Sequence, residues 1–161
     1  MMFIDLDIPS VMFTHSPDYT HHTSEDTPDK VDPVELERCE IIASAAALYL
    51  ANLEIEEALE LSALSGANAA GRLGDAFRRA HFLLSGDDKM KTGKVWAEAV
   101  NILDYALLNQ RGVLNSIVSF NGSELVQSYV ANLNLGLNEQ TKSYRSILAS
   151  VAKRRGASGK T

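Results

Sequence analysis

The chain has 161 residues, of which 45% are hydrophobic and 22% are charged, and its formal net charge at pH 7 is −6. A chain of this length fits one domain and buries enough surface to fold without a structural metal, while its single cysteine excludes an intramolecular disulfide framework. No apolar run approaches the roughly 18 residues that a membrane-spanning helix requires.

The N-terminal region differs in composition from the rest of the chain. All four prolines lie within the first 33 residues, and because proline disrupts the interior of a helix, only the chain beyond them is free to be helical throughout. Residues 1–31, which are also rich in Thr, Ser, Asp and His, are therefore predicted to form an extended acidic N-terminal arm. Within it, Ile4, Leu6 and Ile8 recur at every second position, which is typical of either a short strand or an extended peptide that docks in a groove.

Residues 32–155 are predicted to form an all-α bundle domain of about four helices, followed by a basic flexible tail at 156–161. The first helix begins at residues 32–35, which combine an N-cap aspartate, a proline at the first helical position and a glutamate three residues after the cap. It is expected to continue to Ser65-Gly66. Its apolar residues that are expected to face inward are Leu36, Cys39, Ala43, Ala46, Leu50 and Leu53, followed by Ala58, Leu61 and Leu64.

Two further helices are predicted at about 67–84 and 92–119, with a loop signal at 85–88 between them. The small residues of 66–74 predict a close helix–helix contact, and Gly112 predicts either a kink or a tight contact. The residues expected to face inward are Leu73, Ala76, Phe77, Ala80, Leu83 and Leu84 on the second helix and Val95, Trp96, Ala99, Leu103, Ala106, Leu107, Leu114 and Ile117 on the third.

The last predicted helix, at 123–155, has the most regular pattern in the chain. A turn at 121–122 precedes it, and Ser123 is its predicted N-cap. Apolar residues that alternate by four and three predict a long coiled-coil-like helix, with Gln140 as the one polar residue in the seam. The predicted seam is Val126, Val130, Leu133, Leu137, Gln140, Tyr144, Ile147 and Val151.

Charge is unevenly distributed along the chain. Residues 1–60 contain 14 acids and 2 bases, a net charge of −12, whereas residues 61–161 contain 7 acids and 13 bases, a net charge of +6. The two parts are therefore complementary, either within one molecule or in head-to-tail contacts between copies. The basic residues at the end of the last helix also complement its dipole, which is the simpler interpretation of that cluster.

No motif for catalysis or nucleotide binding is present. The sequence lacks a Gly-x-x-x-x-Gly-Lys-Ser/Thr loop, a Gly-x-Ser-x-Gly elbow and the Glu-x-x-His pairs of di-iron bundles. We therefore expect neither an enzymatic activity nor a cofactor. Cys39 lies on the apolar stripe of the first helix and is expected to be a buried structural thiol.

The arm contains three histidines, His15, His21 and His22, close to several acids. Imidazole and carboxylate groups are ligands for Zn²⁺ or Ni²⁺, but a flexible arm provides no preorganised geometry for a metal. A solvated arm without a metal is the expectation, and metal binding by these histidines is the open alternative.

The pattern favours a non-enzymatic structural protein that self-associates through its arm and its C-terminal helix, as a subunit of a filament, a capsid or a secretion structure. In this hypothesis the apolar arm residues insert in a groove of a neighbouring copy, and basic residues of the last helix meet acids of the first helix. The predicted interface residues are Phe3, Ile4, Leu6, Ile8, Val11, Met12, Phe13, Arg145, Arg154 and Arg155.

Other functions are open from the sequence. The chain could be a small cytoplasmic helical chaperone or adaptor that binds an amphipathic helix of a client protein. An enzyme that uses acids inside the bundle is the least favoured class, and nucleic acid is expected only as a coat-type contact of the basic tail. The first residues lack a basic segment, which predicts no Sec-type signal peptide and a cytoplasmic location, with export by another route or a place in a virion as alternatives.

Overall fold

A computed structural model of the chain describes residues 11–14, 16–86 and 92–155. These residues contain a short 3₁₀ helix at Pro28–Lys30 and four α-helices, with no strand among them. The helices are α1 (Pro33–Ala51), α2 (Ile55–Ser85), α3 (Thr92–Phe120) and α4 (Glu124–Arg154). The predicted all-α class is therefore confirmed, while the strand considered for residues 4–8 lies outside the described residues.

The chain divides into two units, Met1–Ala51 and Asn52–Thr161. In the N-terminal unit α1 begins as predicted, because the Asp32 carboxylate accepts a hydrogen bond from the Val34 amide at 2.9 Å. The predicted inward face of α1 is wrong, since the helix buries none of its residues. Its surface is apolar on several sides at once, so spacing alone does not identify a core-facing stripe.

Cys39 illustrates this correction, because its side chain is half-buried rather than buried. Leu36, one turn before it, is 51% exposed, and Ile42, one turn after it, is 57% exposed. The thiol lies in a shallow depression that Phe13 and Val31 of the same unit also line. Its environment is therefore a surface of the N-terminal unit and not a core.

The first helix ends earlier than predicted, at Ala51 instead of Ser65-Gly66. A connection at 52–54 precedes α2, and within it the Leu53 side chain is buried in the core of the C-terminal unit. The Leu53 carbonyl accepts a hydrogen bond from Asn121 Nδ2 at 3.0 Å. Burial of Leu53 and this hydrogen bond hold the connection against the turn between α3 and α4. No local sequence signal indicated this contact.

The C-terminal unit is a bundle in which α2, α3 and α4 each contact the other two. The described chain has four α-helices, as predicted, and three of them form the bundle of this unit. The predicted inward faces of α2 and α3 are confirmed by buried Leu73, Ala76, Ala80 and Leu84 on α2 and buried Val95, Ala99, Leu103, Leu114 and Ile117 on α3. The predicted turn at 121–122 and the Ser123 cap are also confirmed, because Ser123 Oγ accepts a hydrogen bond from the Val126 amide at 3.4 Å.

Small residues bring α2 close to α4. A Cβ placed on Gly66 would lie 2.9 Å from Leu133 Cδ2, and one placed on Gly74 would lie 3.6 Å from the Tyr144 hydroxyl. The close contact predicted for residues 66–74 is therefore confirmed. Gly112 is not in tight contact, because no described atom outside the local helix backbone lies within 4 Å of its Cβ position.

Several buried positions of the bundle recur at a spacing of 11 residues, because the buried side chains of α2 and α4 are four residues apart more often than three. An 11-residue repeat corresponds to about 3.67 residues per turn, close to a straight α-helix, whereas a heptad requires supercoiling to 3.5. The heptad seam predicted for α4 is therefore wrong in its second half, where Ile147 is 45% exposed and Leu148 and Ala152 are buried. The series with this spacing are Ala58, Ala69 and Ala80; Ser62, Leu73 and Leu84; Val126, Leu137 and Leu148; and Val130, Thr141 and Ala152.

The buried hydroxyls of Ser62 and Thr141 are bonded within their own helices, whereas buried Asn134 of α4 donates from Nδ2 to Asn115 Oδ1 of α3 at 2.8 Å. Ser62 Oγ donates to the Ala58 carbonyl at 2.7 Å, and Thr141 Oγ1 donates to the carbonyl four residues earlier at 2.8 Å. Gln140, the polar residue of the predicted seam, is half-buried and donates to the Tyr144 hydroxyl at 3.0 Å. Among the described residues, no helix is long and apolar enough to cross a membrane.

Candidate functional site

The apolar residues of the arm are the first part of the predicted interface. Val11 and Met12 are 90% and 83% exposed, and Phe13 is 49% exposed at the edge of the depression that Leu36 and Cys39 line. The other predicted arm residues lie outside the described part of the chain and are Phe3, Ile4, Leu6 and Ile8. Docking of the arm in a neighbouring copy stays a prediction.

Residues 16–30 contain bends, turns and the short 3₁₀ helix at Pro28–Lys30. The Asp18 carboxylate accepts hydrogen bonds from the Thr20 and His21 amides at 3.1 and 3.0 Å. These hydrogen bonds, with the Thr20 amide first, lower the pKa of Asp18. The hydroxyl of Thr27 and the ammonium of Lys30 likewise lower the pKa of Asp29.

The arm histidines form no metal cluster that the structure describes. The rings of His21 and His22 are 3.9 Å apart, and His21 Nδ1 lies 4.0 Å from Asp18 Oδ2. The described residues contain no group of three or more His, Cys, Asp or Glu side chains that could hold a metal ion. His15 lies outside the described residues, so metal binding by the three histidines together is not tested.

The predicted arginines of the interface are used partly inside the bundle. Arg145 forms an ion pair with Asp104 of α3, and Arg155 donates a hydrogen bond to the Leu84 carbonyl at the end of α2. Arg154 Nε donates to a carbonyl of its own helix at 3.3 Å. Sequence reasoning missed these contacts, although the unpaired carbonyls that every helix has at its C-terminus are a general signal for such donors. Their predicted contact with acids of a neighbouring copy stays a prediction.

The exposed surface of α1 was also missed. Residues 41–51 contain no charged side chain. Ile41, Ile42 and Tyr49 within this stretch are 60%, 57% and 47% exposed. A soluble helix without a polar face is normally covered by another surface, because exposed apolar area is unfavourable in water. We call residues 41–51 the α1 apolar surface.

Two adjoining depressions between α2 and α3, which share Arg79 and Ile102, form the second surface of interest. Phe82 on α2 and Tyr105 on α3 are 79% and 64% exposed on this surface, and Ile102 lies between them. Sequence reasoning missed it because Phe82 directly precedes residues that face the core. We define the α2–α3 groove by the lining residues Arg72, Asp75, Arg79, Phe82, Glu98, Ile102, Tyr105 and Asn109.

The α2 side of this groove carries positive charge. Asp75 forms an ion pair with Arg78, whereas neither Arg72 nor Arg79 forms an ion pair with a described residue. The two unpaired arginines are seven residues apart, about two helical turns. The groove thus has exposed apolar side chains, two unpaired cations on its α2 side and the acid Glu98 on its α3 side.

Comparisons with protein-family models, with curated proteins and with solved structures find no match. Its function is therefore argued from the α1 apolar surface and the α2–α3 groove.

Proposed function

We propose that the chain is a non-enzymatic assembly protein that self-associates through its N-terminal unit, with the outer side of α4 as a second contact. The observation that carries this proposal is that α1, a helix of 19 residues, buries none of them. Covering its apolar side chains in an interface would be favourable by about 25 cal/mol per Å² of apolar surface removed from water.

The outer side of α4 supports a second contact. Leu125, Leu135 and Ile147 are 57%, 61% and 45% exposed on this helix. A subunit with two separate contacts can form extended or closed assemblies, which is the requirement for a filament, a capsid or a secretion structure. Single exposed apolar residues are common on proteins, so the α1 apolar surface remains the stronger argument.

A second candidate function is a helical chaperone or adaptor, which the α2–α3 groove favours. An apolar groove between two helices can accept one face of an amphipathic helix from another protein. A protein of this kind would remain small in solution and would bind an acidic amphipathic peptide. An assembly protein would grow in mass with its own concentration.

The proposal is tested by light scattering behind size exclusion on the natural chain and on the variant Ile41→Glu/Ile42→Glu. We expect the natural chain to exceed the monomer mass as concentration rises, and the variant to remain monomeric because two charges resist burial. The matched control is Leu64→Glu/Val113→Glu, which adds the same charge at exposed positions outside α1, the groove and α4. Equal assembly of the natural chain and the α1 variant would contradict the proposal.

A further inference from the structure

We infer that α1 of one copy docks in the α2–α3 groove of a second copy, so that each three-helix bundle gains a fourth helix. This inference rests on the proposed function and names the surface that would receive α1. Three independent properties of the described residues support it: length, apolar content and charge.

The lengths are compatible. The α2 side of the groove extends from Arg72 to Phe82, about 15 Å along the helix axis. The 19 residues of α1 extend about 28 Å. A fourth helix that packs between two neighbours is the normal way to complete a helical bundle. One α1 can therefore cover the whole groove.

The apolar parts are also compatible. The groove offers exposed Phe82 and Tyr105 with Ile102 between them. The α1 apolar surface offers Ile41 and Ile42 near its start, and it continues without a charge to Ala51. Large aromatic and aliphatic side chains at the centre of an interface contribute most of its binding energy.

Charge complementarity identifies α1 as the occupant. The N-terminal unit contains 10 acids and 2 bases, a net charge of −8, and the C-terminal unit contains 11 acids and 13 bases, a net charge of +2. Glu37 and Glu40 of α1 form no ion pair with a described residue, in the same way as Arg72 and Arg79 of the groove. Each copy therefore has unpaired acids on α1 and unpaired cations beside an apolar groove.

The arrangement of charge also gives a direction. The acids of α1 lie in its first half and the uncharged stretch in its second half, whereas the groove has Arg72 at one end and Phe82 with Glu98 at the other. With α1 parallel to α2, the acids face Arg72 and Arg79, and the uncharged half faces Phe82. The opposite direction would place glutamates beside Glu98, which is unfavourable.

Charge reversal in the full-length chain tests this contact. We expect Arg72→Glu/Arg79→Glu and, separately, Glu37→Lys/Glu40→Lys to raise the dissociation constant for self-association at least tenfold, measured by sedimentation equilibrium. An equimolar mixture of the two variants should associate as strongly as the natural chain. In the mixed pair one contact has both charges reversed and the other is natural, so both are attractive.

The control variant Arg111→Glu/Val113→Glu places two glutamates at exposed positions outside α1, the groove and α4, and should associate normally. Circular dichroism during heating checks that every variant is folded.

Normal association of the groove variant, together with loss of association in Ile41→Glu/Ile42→Glu, would overturn the α2–α3 groove as the receiving surface and leave the proposed function intact. A mixture that does not recover self-association would overturn the contact between copies. It would instead favour docking of α1 within one chain or binding of a client helix. A natural chain that stays monomeric would overturn the proposed function itself.

Discussion

At the scale of single residues, two glycines of α2 show how helix propensity and side-chain packing contribute separately to stability. Gly71 and Gly66 both lie inside the helix, where replacement by alanine favours the folded state by about 0.5–1 kcal/mol. An added Cβ meets no described side chain within 4 Å at Gly71 but lies 2.9 Å from Leu133 Cδ2 at Gly66. The two positions therefore differ in packing and not in secondary structure.

We expect Gly71→Ala to raise the free energy of unfolding by about 0.5–1 kcal/mol and Gly66→Ala to raise it by less, because Leu133 must move. Denaturant unfolding followed by circular dichroism measures both changes. In a Leu133→Ala background the two substitutions should have the same effect. Equal gains in the natural background would show that α2 and α4 are not in close contact at Gly66.

Asp18 provides a prediction about pH. Its pKa is lowered by hydrogen bonds from the Thr20 and His21 amides, so the charged carboxylate favours the folded turn. This contribution is present above the ordinary aspartate pKa of about 3.9 and is lost as the pH falls through the lowered value. The effect is local because the carboxylate is exposed to solvent.

We expect the amide NMR signals of Thr20 and His21 to shift together as the pH falls below about 3.9. Asp18→Ala should remove this transition, and Glu25→Ala should preserve it because the Glu25 carboxylate caps neither amide. A transition that persists in Asp18→Ala would contradict the assigned cap.

At the scale of helices, α4 distinguishes two registers for the bundle. A strict heptad would bury Ile147, whereas the observed 11-residue spacing buries Leu148 and leaves Ile147 45% exposed. An unsupercoiled helix drifts about 20° per heptad, so a seam read at spacings of four and three departs from the core over several turns. Val126, Val130 and Leu137 satisfy both registers, but the departure already begins in the first half of α4, where Asn134 is buried and the seam residue Leu133 is only half-buried.

We expect Leu148→Ala to lower the free energy of unfolding by about 2–5 kcal/mol, since it leaves a cavity in the core. Ile147→Ala should lower it by less than about 1 kcal/mol, as is usual for substitutions on the surface. Urea unfolding of the two single variants makes the comparison. A larger loss in Ile147→Ala would restore the heptad register.

The helices also show how far local patterns predict this fold. The inward faces of α2 and α3 follow from spacing because each has one apolar side and one polar side. The end of α1 does not follow from spacing, since Ser65 and Gly66 resemble a helix end but lie within α2, where Gly66 packs against Leu133. The break at 52–54 depends instead on the burial of Leu53 and its hydrogen bond from Asn121, which is 68 residues away.

At the scale of the whole molecule, the distribution of charge is the property that the sequence predicts most directly. The acidic first part and the basic second part are visible in composition alone. Composition does not reveal that Arg145 pairs with Asp104 or that Arg155 donates to the Leu84 carbonyl. The two partners in each contact are far apart in the sequence and lie on different helices. The exposed α1 is likewise invisible to periodicity, which assigns apolar spacing to a core.

Salt provides a prediction for the whole molecule. Ion pairs between copies are screened as the ionic strength rises, with a Debye length of about 10 Å at 0.1 M and 3 Å at 1 M. We expect self-association of the natural chain to weaken several-fold between about 0.05 and 0.5 M NaCl. The dependence should be smaller in Arg72→Ala/Arg79→Ala, which removes the groove cations. An equal salt dependence in both proteins would place the electrostatic contact elsewhere.

The central claim is that the N-terminal unit makes this chain assemble with itself. The most direct test is the weight-average mass of the natural full-length chain by sedimentation equilibrium over a hundredfold range of concentration. The account predicts a mass that rises above the 17.5 kDa monomer with concentration and stays at the monomer value in Ile41→Glu/Ile42→Glu. A natural chain that remains at 17.5 kDa throughout that range would contradict it.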